Sequence, residues 1–423
     1  MKLTQLKVFK SGKPVTLEKK VRKDCRIFTD EELNRMIDEN IGQVRLKGHA
    51  ELIVPARLHP IRPDSLTKNA QAVMETLHQA GFHAYLCGGT VRDLIREETV
   101  NDFDFVTDAS NEQLAELFSG ICFHEIPAGH RFGYLDFGNE IIDVATFVNI
   151  PARYRGLPNV PESDPEALYS SRLLFDAYQR DFTCNSMYYD PASGDLISYF
   201  GGLYSLREGI IMTPVDAAAV FDYDPRRAMR ALRFSSRFGF TLAEDVEAAV
   251  RELGAECVRR IDPAGMAENL PDFFSGGFAR DGTERLLDYH LFWDLFPSVR
   301  DKAGNEEYRK YVLRTARAAD WLFDEGTWAL PMIVMAAFLW PAVRDARDAG
   351  ADNPVEQVLR SQKEILRMSG KDEDYFRGTL MIGDADPDRD RIREEVSEIF
   401  DQPEFKDGLR MLRLHYLANS RKL

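Results

Sequence analysis

Two aspartates that alternate with two phenylalanines set the strongest constraint on how this chain can fold. In the run NDFDFVT, Asp102 and Asp104 alternate with Phe103 and Phe105. On a β-strand, residues two apart point to the same face, so both carboxylates would project together while the rings enter the core. Adjacent like charges cost stability unless something neutralises them. The functional interpretation is a pair of Mg²⁺ ions bridged by these carboxylates and by substrate phosphates. The alternative is the polar edge of an exposed strand.

A Gly-Gly pair lies a short distance upstream, in the segment LCGGTVRDLI. The pattern predicts a strand over residues 84–87, a turn at Gly88 and Gly89, and a helix over residues 90–96. Glycine lets the backbone approach a ligand closely, and a helix N-terminus offers free N–H groups and a positive dipole to phosphates. Arg92 would add a fixed positive charge. A purely structural tight turn is the alternative, and the D-x-D run downstream favours the phosphate site.

The periodicity divides the 423-residue chain into an α/β part and a helical part. Short β-like runs alternate with helical segments up to about residue 216, which predicts a head with a small mixed sheet. Beyond that point the pattern is helical throughout, which predicts an all-α neck and body. The predicted domains are an N-terminal extension (1–50), a head (51–216), a helical neck (217–275) and a helical body with an RNA-binding region (276–423).

Charge and composition limit the partners and the compartment. The net charge of −15 argues mildly against nucleic acid, yet residues 1–26 hold nine lysines and arginines against two acids. That stretch predicts either an RNA-contacting arm or a solvated, disordered tail. The five cysteines are scattered, so neither a disulfide framework nor a zinc site is predicted. With no signal peptide and no apolar run near ~20 residues, we expect a cytoplasmic protein without a membrane partner.

Several segments, taken in order, resemble one family. They are GGTVRD (88–93), DFD (102–104), GHRFG (129–133), IIDVATF (141–147), RDFTCNSMYYD (180–190) and DPRRAMRALRF (224–234). The combination is similar to the signature of the DNA polymerase β superfamily, in particular its class II tRNA nucleotidyltransferase and bacterial poly(A) polymerase branch. The resemblance implies a nucleotidyltransferase head that moves nucleotides from an NTP to an RNA 3′ end with Mg²⁺.

The resemblance also implies roles for individual residues. Asp102 and Asp104 would hold two Mg²⁺ ions, and Asp181 would be a third catalytic carboxylate. From the residues alone, Asp143 is an equal candidate, because it lies between apolar residues on a predicted neighbouring strand. For Asn185, a structural amide is the alternative to a nucleotide contact. The implied nucleotide-binding residues are Gly88, Gly89, Arg92, Arg180, Asn185, Asp224, Arg227, Arg230 and Arg233.

Two residues at the start of a predicted helix over residues 225–238 bear on base choice. Asp224 and Arg227 are three apart, which would place them on one helix face. In the family this pair reads the base: the carboxylate accepts from an exocyclic amine and the guanidinium donates to the adjacent ring nitrogen. Adenine and cytosine offer that edge, whereas guanine and uracil do not. ATP is therefore the expected substrate, and CTP is the second nucleotide that fits.

The same predicted helix carries a stripe of arginines. No acidic residue lies among them in the sequence, so their mutual repulsion favours a face turned towards phosphate over a merely solvated one. The stripe consists of Arg226, Arg230, Arg233 and Arg237.

Three positions depart from the family pattern: Val148, Gln179 and Tyr223 stand where Arg, Arg and Glu are usual. Distal segments at residues 53–81, 260–270, 291–297, 329–341 and 405–414 look more like bacterial poly(A) polymerases than CCA-adding enzymes. The expected function is addition of AMP from ATP to the 3′ end of mRNA, other RNA or tRNA. CCA addition to tRNA is the alternative, and a catalytically degenerate RNA-binding protein that kept the fold is a second alternative.

Overall fold

The chain divides into two compact units. The structure, a computed structural model, describes residues 4–10, 13–19, 45–47, 51–100, 102–119, 122–125, 132–147, 172–174, 176–324, 331–366, 373, 376–377 and 379–380. The first unit, called the head below, spans Lys19–Asp216. The second unit combines Met1–Glu18 with Ala217–Leu423.

The strands and helices follow one another along the chain. The strands are β1 (Thr4–Lys10), β2 (Lys13–Lys19), β3 (Arg45–Lys47), β4 (Glu51–Val54), β5 (Ala84–Cys87), β6 (Phe103–Thr107), β7 (Cys122–Glu125), β8 (Phe132–Asp136), β9 (Ile141–Thr146), β10 (Met187–Tyr189), β11 (Leu196–Ser198), β12 (Ile210–Ile211) and β13 (Thr241–Leu242). The helices are α1 (Lys68–Gln79), α2 (Gly88–Ile95), α3 (Asn111–Leu117), α4 (Gly202–Glu208), α5 (Ala217–Tyr223), α6 (Arg226–Phe238), α7 (Glu244–Arg260), α8 (Pro263–Asn269), α9 (Ala279–Asp288), α10 (Phe292–Leu295), α11 (Glu306–Asp324), α12 (Pro331–Asp348) and α13 (Pro354–Leu366).

The head is built on a nine-stranded sheet in the order β3-β4-β11-β10-β5-β6-β9-β8-β7. Every neighbouring pair is antiparallel except β6 and β9, which run parallel. The mixed sheet that the sequence predicts is thus confirmed. It is larger than expected, because short strands on both sides of the predicted ones extend it.

Part of the predicted N-terminal extension has regular structure. β3 adds an edge strand to the head sheet, and β1 and β2 form a separate two-stranded sheet. The disordered tail, one of the two alternatives for residues 1–26, is therefore wrong for Thr4–Lys10 and Lys13–Lys19. The reason is local: in TQLKVFK and KPVTLEK, polar and apolar residues alternate with the period of a strand.

The parallel pair of β6 and β9 sets the register of the carboxylates. Asp104 lies directly opposite Asp143, and paired residues on neighbouring strands share one face of a sheet. The residues on either side of the two acids point to the opposite face. These buried neighbours are Phe103, Phe105, Ile142 and Val144.

The hairpin between β8 and β9 is tied to helix α1. The carboxylate of Glu140, at the end of the turn, accepts from Thr67 Oγ1 at 2.7 Å and from Asn69 Nδ2 at 2.8 Å. Thr67 also caps α1 by accepting from the N–H of Ala70. One carboxylate therefore joins the start of β9 to the start of α1.

The second unit is helical over most of the residues that the structure describes. Its core contains a group of rings, in which Phe292 and Phe296 lie 4.8 Å apart between centroids and Phe274 and Phe338 lie 5.4 Å apart. None of the helices in the described ranges is long and apolar enough to cross a bilayer. The helices that the sequence predicts over 391–399 and 405–419 lie outside the described residues.

Candidate active site

Three carboxylates lie close together, on β6, on β9 and in the bend before β6. Asp102, Asp104 and Asp143 are called the carboxylate cluster below. Asp104 lies on β6 and is half-buried, and Asp143 lies opposite it on β9 and is exposed. Asp102 is exposed in a bend one residue before β6, so it is not on the strand as predicted. From the residues alone, Asp143 and Asp181 are equal candidates for the third carboxylate. The strand register brings it beside Asp104.

The electrostatics of the cluster show how strongly the carboxylates interact. Burial raises the pKa of Asp104 to about 7, with further increases from the charges of Asp143 and Asp102. Arg180 and Arg92 act in the opposite direction and reduce the increase. An ionised Asp104 is therefore costly to hold in this position, and a bound cation would lower that cost.

The hydroxyl of Thr90 links the backbone on both sides of Phe103. Thr90, buried on α2, donates from Oγ1 to the carbonyl oxygen of Asp102 at 3.0 Å and accepts from the N–H of Asp104 at 2.9 Å. One side chain thus fixes the spacing of two carboxylates of the cluster. The sequence analysis missed Thr90, because nothing in the pattern around a helical threonine predicts contacts with residues 12 and 14 positions away.

Replacing Thr90 with valine should weaken both the fold and the site. Valine has nearly the same shape but leaves the Asp102 carbonyl and the Asp104 N–H without this partner, which should lower the free energy of unfolding by about 1–3 kcal/mol. We expect any activity that depends on a cation at the cluster to fall by about 10- to 100-fold, the loss typical when outer partners of a metal site are removed. Urea unfolding and a primer-extension assay measure the two effects. Thr90→Ser, which keeps the hydroxyl, should restore both, and equal losses in the two variants would contradict the role of the hydroxyl.

Gly88 brings the cluster close to a half-buried arginine, Arg180. α2 begins at Gly88, so the two glycines form its first turn, not a turn before it as predicted. Gly88 has φ +64°, and a Cβ there would lie 3.2 Å from Arg180 Nη1 and 3.7 Å from Asp104 Oδ2. Only glycine fits both the backbone conformation and the space. The helix N-terminus, the arginine and the carboxylate therefore meet at one point.

A buried aspartate holds Arg180 in place. Arg180 donates from Nε and Nη2 to Asp176 Oδ2 at 3.1 and 2.7 Å, and Tyr188 donates its hydroxyl to the same oxygen at 2.7 Å. Burial opposes the charge of Arg180, but the charge and hydrogen bond of Asp176, with the charges of Cys87 and Tyr188, together outweigh it, so the pKa of Arg180 lies above its usual value. The sequence analysis overlooked Asp176, although its i, i+4 spacing to Arg180 is the usual signal for such a pair.

Three other predicted residues form a second network in the head. Arg92 is buried and donates to Asn185 Oδ1 at 2.8 Å and to Asp93 Oδ1 at 2.8 Å. Asn185 in turn donates to Asp181 Oδ1 at 2.8 Å, and that oxygen also accepts the N–H of Phe182. Asp181 therefore contacts Arg92 through Asn185. A Cβ on residue 89 would lie 3.4 Å from Arg92 Nη2, so Gly89 leaves room for this guanidinium.

The predicted base-reading residues belong to the second unit. The sequence analysis placed Asp224 on the helix, but α6 begins only at Arg226, after Pro225. The reason is that a proline disfavours helical geometry in the residue before it. Arg227 is helical, and its Nε lies 3.7 Å from Asp224 Oδ2. The two side chains are therefore neighbours, although they do not share a helix face.

Asp224 is held ionised by its closest arginine. Arg226 donates from Nε and Nη2 to the two carboxylate oxygens of Asp224 at 2.8 and 3.0 Å. Burial raises the pKa of Asp224, but hydrogen bonds and charge from Arg226, with the charge of Arg227, bring it below its usual value. The carboxylate stays an acceptor at neutral pH.

The arginine stripe of α6 is partly neutralised, contrary to the expectation from sequence. Arg226 pairs with Asp224, and Arg233 donates to Asp272 at 2.5 Å. Asp272 lies 39 residues further along the chain, which explains why the sequence around the stripe shows no compensation. Arg230 is half-buried and Arg237 is exposed. The stripe is thus a mixture of ion-paired and accessible positions.

Parts of the predicted site lie outside the described residues. These are residues 129–131 of the GHRFG segment and Val148. Among the residues that the structure does describe, no three His, Cys, Asp or Glu side chains form a complete metal site. The carboxylate cluster would therefore need further ligands from a substrate or from water.

Comparison with solved structures identifies the class of fold. The chain resembles the Thermotoga maritima CCA-adding enzyme complexed with tRNA, with a TM-score of 0.58 and 20% identity, over 86% of this chain and 82% of that one. The fold is that of a nucleotidyltransferase with a mixed-sheet head and a helical C-terminal region.

Sequence comparison places the head in a family. Residues 84–212 match the poly A polymerase head domain. Poly(A) polymerase I of Escherichia coli O6:H1 is 29% identical over 303 residues, which is 68% of this chain and 63% of that protein. The CCA-adding enzyme of Lactobacillus helveticus is 32% identical over 247 residues, which is 58% of each chain. The chain thus carries a poly A polymerase head domain and is homologous to poly(A) polymerase I and CCA-adding enzymes. It spans less than two thirds of the length of either relative.

Proposed function

We propose that the chain is an RNA 3′-end nucleotidyltransferase that transfers AMP from ATP to RNA. The observation that carries the proposal is the meeting of Asp104, Arg180 and Gly88: a Cβ on residue 88 would touch both side chains. Carboxylates, a fixed cation and the N–H groups of a helix N-terminus are what a triphosphate and its counter-ions require. The homology to poly(A) polymerase I, over 68% of this chain, supports the same reaction.

The carboxylate cluster fits Mg²⁺. All its donors are oxygens, which suit a hard cation, and Mg²⁺ in proteins is commonly held by one or two carboxylates together with substrate phosphates. Burial, and then the charges of Asp143 and Asp102, raise the pKa of Asp104, and a bound cation would oppose these effects by favouring the ionised carboxylate. Asp102 and Asp104 would hold two ions, with Asp143 as the third carboxylate. When bound, Mg²⁺ supplies Lewis acidity at the RNA 3′-hydroxyl and at the leaving group.

The remaining head residues bind and orient the triphosphate. In the transfer, the 3′-oxygen of RNA bonds to the α-phosphorus while the bond to the β-phosphate breaks and pyrophosphate leaves. Arg180, held by Asp176, would neutralise charge on the leaving group. Arg92 would contact the phosphates together with Gly88 and Gly89. Asp181 and Asn185 would act through Arg92, because both belong to its hydrogen-bond network.

Asp224 and Arg227 would select the base. An ionised carboxylate accepts hydrogen bonds and a guanidinium donates them, which matches the amine and ring nitrogen of adenine or cytosine. Arg226 occupies both oxygens of Asp224, but a carboxylate has about four lone-pair sites, so capacity for an amine remains. Arg230 and Arg233 would contact the nucleotide or RNA phosphates. Because the edge fits cytosine as well, CCA addition to tRNA is the second candidate function.

Product analysis with single nucleotides tests the proposal. The chain is incubated with Mg²⁺, a 5′-labelled RNA and one NTP at a time. In parallel, tRNA that lacks its 3′ end is incubated with the chain, Mg²⁺, and CTP and ATP together. We expect long, heterogeneous tails from ATP and no extension from GTP or UTP. Addition that stops after C, C and A on the tRNA would instead support the second candidate. RNA binding without incorporation of any nucleotide would contradict both and would indicate a catalytically degenerate RNA-binding protein.

A further inference from the structure

Tyr223 is the most exposed large hydrophobic side chain in the part of the chain that the structure describes. Its exposed fraction is 78%, whereas the next, Tyr204, is 49% exposed. Tyr223 ends helix α5, which is anchored by the buried side chains of Val220 and Phe221. The ring is therefore not needed to pack this helix. A single exposed aromatic is common on protein surfaces, so its significance depends on its neighbours.

The neighbours of Tyr223 supply hydrogen-bonding groups of both kinds. Asp224 follows it directly in the chain. The guanidinium of Arg227 lies over the Tyr223 ring, 5.6 Å from its centroid, and Arg227 Nε is 3.7 Å from Asp224 Oδ2. An acceptor, a donor and a flat apolar surface are thus joined in one cluster at the start of α6. A nucleobase has a polar edge, which an acceptor and a donor can bind, and a flat face, which can stack on an aromatic ring.

We propose that Tyr223 is the surface on which the base of the incoming nucleotide stacks, while Asp224 and Arg227 read the edge of that base. This inference rests on the proposed function, which assigns base reading to the pair. Because the Arg227 guanidinium lies against the Tyr223 ring, a base whose edge meets Arg227 would also lie beside that ring.

The two kinds of contact should have separable effects. Every base has a π-face, so stacking on an aromatic ring is tolerant of sequence, whereas edge contacts distinguish one base from another. Loss of the ring should therefore weaken ATP and CTP to a similar degree. Loss of the Asp224 carboxylate should instead change the preference among nucleotides.

Calorimetric titration of nucleotides in the absence of RNA tests the assignment. The full chain with Mg²⁺ is titrated with ATP, CTP and GTP, and separately with a short oligo(A) RNA. For Tyr223→Ala we expect the Kd of ATP and of CTP to rise by about fivefold or more, with their ratio kept. Tyr223→Phe, which keeps the ring, should stay close to wild type.

A matched control comes from Tyr204. Tyr204 is also exposed and has Arg207 over its ring at 5.3 Å, and Arg207 pairs with the Glu208 carboxylate at 2.5 Å. It therefore presents the same kinds of groups as Tyr223, but in a segment to which base reading is not assigned. Tyr204→Ala should leave nucleotide affinity unchanged. Asp224→Ala should reduce the preference for ATP over GTP, in contrast to Tyr223→Ala.

Three outcomes would overturn the inference. Unchanged nucleotide affinity in Tyr223→Ala would show that the ring does not stack on the base. If only ATP binds more weakly, the ring selects among bases instead of stacking on any base. If only RNA binds more weakly, the ring contacts the RNA and not the incoming nucleotide. Because binding is measured without turnover, a chain that binds ATP through Tyr223 yet extends no RNA would support this inference and contradict the proposed function.

Discussion

The Asp104→Asn variant is expected to extend RNA at least about a hundredfold more slowly than the wild type, the loss typical when one charge-stabilising group is removed from a site. Asparagine keeps the shape of aspartate but cannot carry the negative charge that a divalent cation requires. The variant should still fold. Burial raises the pKa of Asp104 to about 7. The folded state of the wild type therefore favours the protonated carboxyl, and its free energy of unfolding falls as pH rises through 7 and the group ionises. A neutral amide escapes that loss, and at pH 8 the variant should unfold at a temperature no lower than the wild type.

Primer extension and thermal unfolding, measured on the same preparations, check this prediction. Glu116→Gln makes the same change of charge at an exposed position on α3 and should alter neither measurement. Extension at the wild-type rate by Asp104→Asn would remove the basis of the proposed function. A large fall in unfolding temperature would instead mean that the loss of activity reflects loss of the fold.

Asp143→Asn and Asp181→Asn are expected to fail in different ways. Asp143 lies opposite Asp104, so its removal should lower activity by about a hundredfold at ordinary Mg²⁺ and raise the Mg²⁺ concentration needed for half-maximal rate. Asp181 contacts Asn185, which contacts Arg92, so its removal should mainly raise the KM for ATP. Rates measured over a range of Mg²⁺ at saturating ATP, and over a range of ATP at saturating Mg²⁺, separate the two effects.

The comparison also decides between the two candidates for a third catalytic carboxylate. If Asp181→Asn alters the Mg²⁺ requirement and Asp143→Asn does not, Asp181 is the metal-associated acid, as the family resemblance implies. Asp181 is buried, and Asn185 belongs to the same hydrogen-bond network. The Asn185→Asp variant disturbs that network and should likewise change the KM for ATP more than the Mg²⁺ requirement.

Local patterns in the sequence were sufficient to predict the mixed sheet, the helical second unit and the family. The alternation of Asp and Phe at 102–105 predicts the strand, since the period of a strand is two residues. The glycines before Arg92 indicate where the helix begins. These features depend on residues close together in the chain, which is why they can be read without a structure.

Contacts between distant residues could not be predicted in this way. The pairing of Asp104 with Asp143 depends on a parallel register across 39 positions, and the ion pair of Arg233 with Asp272 spans the same separation. Nothing in the periodicity of either segment encodes its partner. The position of Asp224 before α6 was also missed. The signal was present in that case, because Pro225 follows it.

The contacts of Glu140 have a consequence for how this head could lose its activity. β9 carries its side chains alternately to the two faces of the sheet, so a shift of one residue along β6 would send Asp143 to the other side and bring an apolar neighbour in its place. The hairpin turn that ends at Glu140 is fastened to α1, which holds β9 against such a shift. A lengthened or shortened turn could preserve every strand and still separate the acids. The head could therefore lose the proposed activity while remaining folded, and the residues that prevent this loss lie away from the carboxylates.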